Sequence, residues 1–266
     1  MDICGEITFT GEDITDAMDK IFTDNEPFFE ILAELGQATK LTIASKPIEA
    51  NDATELVSSC LFTKSINTCE AIIRVCRAGC VSEAKALIRV LLEAAVILSF
   101  IEKDSANLQK YIDASKHEKI KRLQNIIKYP EYLGDLIADN EIEHLIALRK
   151  QIHTEIQNNK IAKKNIREWA AVAGMLETYI IAYDLFSEDV HIDPTALERY
   201  ILKDENDNIS KIDVRSVDLL DLRHVLFTCF DIFSKILLAY ISIRRLDCTH
   251  FDDVMKKRSK FGPALI

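Results

Sequence analysis

A chain of 266 residues that is 48% apolar and 29% charged can bury one large core or two modest ones, which excludes a disordered class. Its net charge of −10 sits at one end, because residues 1–60 hold 13 Asp/Glu against 3 Lys/Arg while the rest balances at 30 against 30. Such a leader repels nucleic acid or shields a basic surface, and a solvated helical hairpin accounts for it most simply. Seven cysteines without a Cys-x-x-Cys pair, four of them (Cys60, Cys69, Cys76, Cys80) in one apolar helical stretch, point to free thiols in a reducing cytoplasm. No basic and apolar leader opens the chain. The apolar runs 86–101 and 225–243 are broken by Arg89 and Glu93 and by Asp231 and Lys235, so neither reads as a membrane span.

With only 7 Gly and 5 Pro, long tracts of Leu, Ile, Ala, Glu and Lys keep helical spacing. They predict helices near 12–22, 27–45, 52–79, 82–102, 105–128, 131–157, 165–187, 194–202 and 214–246. Asn51 and Ser105 are candidate N-caps, Asn165 with Glu168 resembles a capping box, and Asp193-Pro194 sets Pro at a first helical position. The fold class is therefore mainly α, a multi-helix bundle without significant sheet. Residues 1–50 form an acidic helical extension, 51–246 the bundle core, and 247–266 a basic, frayed C-terminal tail around Lys256, Lys257, Arg258 and Lys260. The polar run Lys203–Asp213 reads as the best loop of the second half.

Two polar sets stand out. Arg89 and Glu93 interrupt a stretch that is otherwise apolar on every face, and their spacing of four lets them pair as a buried ion pair. Tyr179, Tyr183, Ser187 and His191 follow one another at four-residue intervals, so on a continuous helix each drifts about 40° from the last and the row can border one groove. His191 near a helix end has an imidazole suited to proton transfer near neutrality. Core-edge tyrosines and a structural histidine produce the same spacing.

The pair Arg89-Val-Leu-Leu-Glu93 with the later Tyr183-x3-Ser187-x3-His191 near an Asp-Pro helix start resembles an uncharacterised prokaryotic all-helical family, known only as a domain of unknown function. The likeness spans roughly residues 65–202 and includes the 111–122 region and the Trp169 helix; Ile192 stands where a small residue is expected after the His. It implies that Arg89, Glu93, Ser187 and His191 form a polar centre, without implying an activity. A looser similarity is to the HEPN helical superfamily, whose nucleases use an Arg followed after four to six residues by a His. Arg244-Arg245-Leu-Asp-Cys-Thr-His250 meets that spacing from either Arg, and it would imply metal-independent RNA cleavage with His as general acid or base and Arg stabilising the phosphorane.

Two Glu-x-x-His units, 141–144 and 188–191, with Glu93 and Glu118 can also be assembled into a di-iron carboxylate pattern. Acids three residues before a His are common in an acidic chain, and Asp221 with His224 makes a third case, so neither metal nor another cofactor is assigned. Lys116, His117, Lys119, Lys121, Arg122 and Lys128, with Lys160, Lys163, Lys164 and Arg167, make a second, phosphate-tracking candidate. Solvated charge describes the same residues. The expected function is a cytoplasmic helical protein that binds a phosphate-bearing ligand or RNA. The acting residues are Arg89, Glu93, Ser187 and His191 (alternatively Arg245 and His250), the binding residues Tyr183, Lys119 and Arg122. RNA cleavage of the defence or toxin type is its enzymatic form. The alternative is a non-enzymatic module that binds a partner protein or a second copy and uses the same residues to fix helix registry.

Overall fold

The structure, a computed structural model, describes residues 2–4, 15–49, 51–131, 139–187, 194–213 and 219–259. These form a short strand β1 (Asp2–Cys4) and helices α1 (Thr15–Asp24), α2 (Glu26–Ala44), α3 (Ala53–Arg77), α4 (Val81–Lys103), α5 (Ala106–Lys128), α6 (Asp139–Asn158), α7 (Ile166–Val172) and α8 (Leu176–Leu185). A short α9 (Pro194–Leu197) and a 3-10 turn lead into strands β2 (Ile201–Lys203) and β3 (Ile209–Asp213), then α10 (Leu219–Arg244) and α11 (Thr249–Arg258). The chain is mainly α-helical, as its spacing predicts. It divides into two compact units, one of residues 1–102 with 167–266 and one of residues 103–166.

In the larger unit the helices gather around α10. Sixteen of its 26 residues are buried, and fully burying a side chain such as Leu226 or Phe230 contributes about 1.5–3 kcal/mol. Its length and hydropathy would suffice to cross a membrane, but 67% of the most apolar window is buried inside the protein. Polar ties give the directions of its neighbours. Lys85 meets Asp221 at 2.6 Å and Ser242 donates to Glu102 at 3.0 Å, so α4 runs parallel to α10. Arg223 donates to Asn25 at 2.8 Å, and Arg244 reaches the Pro47 carbonyl at 2.6 Å, so α2 also runs parallel. Antiparallel α3 matches Glu55, Ser59 and Cys69 to Arg244, Tyr240 and Cys229.

Local chemistry explains the helix ends. Asp52, rather than Asn51, caps α3 by accepting from the amides of Thr54 and Glu55 at 2.8 and 3.1 Å. Gly79, at φ +79°, closes α3 as the Cys80 amide reaches back to the Val75 carbonyl at 2.8 Å. Gly174, at φ +71°, does the same between α7 and α8. The single helix expected over 165–187 is therefore two.

Further expectations change. Residues 249–258 are a helix rather than frayed tail: Lys257 pairs with Glu34 of α2 at 2.7 Å, and buried Arg258 lies over the Phe227 ring at 4.5 Å and 3.4 Å from Asp231. Helices α1 and α2, read as an acidic extension, lie in the same compact unit as α10. The run 203–213, read as a loop, holds the end of β2, a turn over 204–208 and strand β3. Asp204 accepts from the amides of Asn206 and Asn208 at 2.9 and 3.0 Å, and these bonds hold its carboxyl below the usual range. The small sheet has the order β1-β3-β2, with β1 parallel and β2 antiparallel to β3.

The smaller unit is the α5–α6 hairpin. Lys116 bridges Asp113, at 2.8 Å, and Glu155, and His117 meets the Ile161 carbonyl at 2.9 Å. Among its described residues only Leu108, Ala114, Leu123 and Ile152 are buried apolar side chains.

Candidate functional site

Helix α4 is not buried on every face. Ala86, Leu87, Arg89, Glu93 and Ala94 are half-buried and Val90 is exposed, a stripe at spacings of three and four along one edge. Beside it lies α8, whose Thr178 and Ala182 are buried while Tyr179 and Tyr183 are half-buried. Lys235 of α10 donates to Thr178 at 3.0 Å, which fixes the α8 start against the core. The Arg89–Tyr183 contact then fixes its other end, so α8 runs antiparallel to α4.

The Arg89 guanidinium lies over the Tyr183 ring, 4.3 Å from its centroid. Such a contact contributes about 0.5–1 kcal/mol at a partly exposed site. Among the described residues this stacking is the contact that Arg89 makes, with no hydrogen bond and no ion pair beside it. Tyr179 and Tyr183 lie 5.3 Å apart, centroid to centroid. Burial raises the pKa of Tyr179, and Tyr183 and Glu93 raise it further, against the opposing pull of Arg89 and Arg167. At neutral pH Tyr179 therefore keeps its proton and acts as a hydrogen-bond donor.

The four-residue row is carried by one helix only from Tyr179 to Tyr183. Helix α8 ends at Leu185, so half-buried Ser187 lies past its end, and His191 lies outside the described residues. Arg89, Glu93, Tyr179 and Tyr183 come together; Arg167, from the basic cluster, acts electrostatically on the same tyrosine. Its signal in the sequence was position alone, since it opens the Trp169 helix, and the stacking of Trp169 on Phe100 at 4.9 Å anchors that helix to α4. Lys119 and Arg122 are exposed on α5 in the other unit.

For the Arg-His alternative, Arg244 is 2% exposed and committed to Glu55, Tyr240 and the carbonyls of Lys46 and Pro47. Arg245 and His250 are both exposed, and Arg245, at φ +53°, takes the left-handed position that ends α10. Among the described residues no three His, Cys, Asp or Glu side chains gather as a metal-binding group.

A model of the family of unknown function DUF5677 matches residues 55–209, a span that runs from the first turn of α3 to the first residue of β3 and includes the Arg89–Tyr183 contact. The chain belongs to that family. No curated protein and no solved structure matches it.

Proposed function

We propose that this member of the family binds a phosphate-bearing ligand, RNA in the first instance, on the edge where α4 meets α8. One observation carries the reading: a half-buried arginine stacked on a tyrosine, its guanidinium edge without a hydrogen bond or ion pair among the described residues. A planar guanidinium in that state suits bidentate recognition of a phosphate. Tyr183 holds the guanidinium flat, Tyr179 offers an O–H donor, and both rings offer stacking faces to a base. Ser187 extends the polar edge past α8. In the enzymatic form His191 transfers the proton while Arg89 stabilises the charge of the phosphorane, with no metal required. Arg245 and His250 are the alternative pair for the same chemistry, and a defence or toxin-type effector in a prokaryotic cytoplasm is the setting this reading implies.

Fluorescence anisotropy of a labelled single-stranded RNA, with a gel assay for its cleavage, tests the proposal. Arg89→Ala and Tyr183→Ala should each weaken binding about tenfold, the loss of one charge-assisted contact, with the melting temperature kept. Binding unchanged in both variants rejects the site. Cleavage lost only in Arg245→Ala or His250→Ala moves the chemistry to the C-terminal pair. The thin core of the α5–α6 hairpin, with Ile112 and Ile146 exposed, favours the non-enzymatic interaction module as the second reading.

A further inference from the structure

Helices α2 and α3 both pack on α10 but touch each other little, which leaves an open groove of about 370 Å³ between them. Phe233 of α10 forms part of its lining, Leu32 and Leu35 come from α2, and Ile66 and Ile73 come from α3. A volume of this size falls in the range of small-molecule sites, which run from about 300 to 1,000 Å³.

The groove is kept open by small residues on α2, Ala33 and Gly36. Gly36 lies in the interior of a 19-residue helix, where glycine is destabilising relative to alanine. Among the described residues a Cβ built there would meet no atom within 4 Å, so none of these neighbours demands a glycine. An occupant lying against the α2 backbone would demand one.

The lining also states the chemistry of that occupant. The Thr39 hydroxyl is spent on the Leu35 carbonyl at 2.7 Å, Cys69 faces Cys229 at 3.4 Å, and Glu70 is tied to Arg74 at 2.5 Å. Lys40 is exposed on the same lining, and its ammonium makes no hydrogen bond or ion pair among the described residues. Among the described residues the groove thus offers apolar walls and one cation, Lys40, without a hydrogen-bond or ion-pair partner.

We infer that this groove binds a free fatty carboxylate, with the alkyl chain laid over Gly36 between α2 and α3 and the carboxylate held by Lys40. It is separate in residues from the α4–α8 edge and does not depend on the reading given to that edge.

Dodecanoate titrated into the full chain by isothermal calorimetry tests the inference, with dodecanol as its uncharged counterpart. Dodecanoate should saturate at one per chain. Gly36→Leu, which fills open space, should keep or raise the melting temperature and abolish binding; Lys40→Glu should weaken dodecanoate at least tenfold and leave dodecanol unchanged. Absence of one-to-one saturation overturns the inference, as does a folded Gly36→Leu variant that binds normally. Self-association that Gly36→Leu abolishes, without dodecanoate binding, would give the groove to a second copy and equally overturn it.

Discussion

Arg244 shows how much of a charged residue's role is decided by what surrounds it. Burial works against its charge, yet the Tyr240 hydroxyl and the Glu55 carboxylate more than offset that and hold its pKa above the ordinary value. Glu55 lies 2.5 Å away and is itself buried. Removing one member of a buried pair leaves the other as an uncompensated charge, which costs about 3–5 kcal/mol, whereas replacing both by apolar groups costs far less. In urea denaturation Arg244→Met should therefore lose stability on that scale, and the double variant Arg244→Met/Glu55→Leu should recover most of it. A single variant within about 1 kcal/mol of the parent would show that the network carries little of the fold. In the sequence Arg244 and Arg245 are interchangeable members of an Arg-His spacing. Only packing separates them, because α2, α3 and α10 close on the first and leave the second in solvent.

At the scale of elements, most helices were legible because their apolar residues recur at helical spacing and each has a side to bury. The break at Gly174 was not. Nothing in the composition of 165–187 distinguishes a glycine tolerated inside a helix from one that ends it, and the positive φ is a property of the folded chain. The break matters to the site, since it lets α8 start afresh with Tyr179 and Tyr183 facing Arg89. Gly174→Ala would place a Cβ in open space but in a left-handed backbone, so its cost is conformational, about 1–2 kcal/mol. Chemical denaturation should show that loss, and RNA binding should weaken with it if α8 tilts away from Arg89. A variant as stable as the parent would mean that residue 174 leaves the left-handed region at no cost. Strands β2 and β3 escaped the sequence for a different reason. They are short and mostly exposed, so no alternation of buried and exposed side chains marks them, and the Asp204 turn is their clearest signature.

Over the whole molecule the periodicity of α5 and α6 matches that of the other helices, so the sequence offers no reason to set residues 103–166 apart. The difference lies in what each helix finds to bury. Helices α3, α4 and α10 carry most of the fully buried large side chains, among them Phe62, Ile72, Ile88, Leu91, Leu98, Leu226 and Phe230. Few buried apolar contacts mean a low free energy of local opening, whereas core helices open only with global unfolding. Native-state hydrogen exchange followed by mass spectrometry should accordingly show amides of 106–128 and 139–158 exchanging well before those of 88–101 and 222–241. The order should hold as denaturant is added, with the hairpin opening as its own cooperative step. Equal protection in both sets would mean that the hairpin is held by contacts as extensive as those of the core, and the interaction-module reading, which needs an apolar face still seeking a partner, would lose its support. Early exchange that slows at high protein concentration would instead identify that partner as a second copy of the chain, since mass action protects the bound state alone.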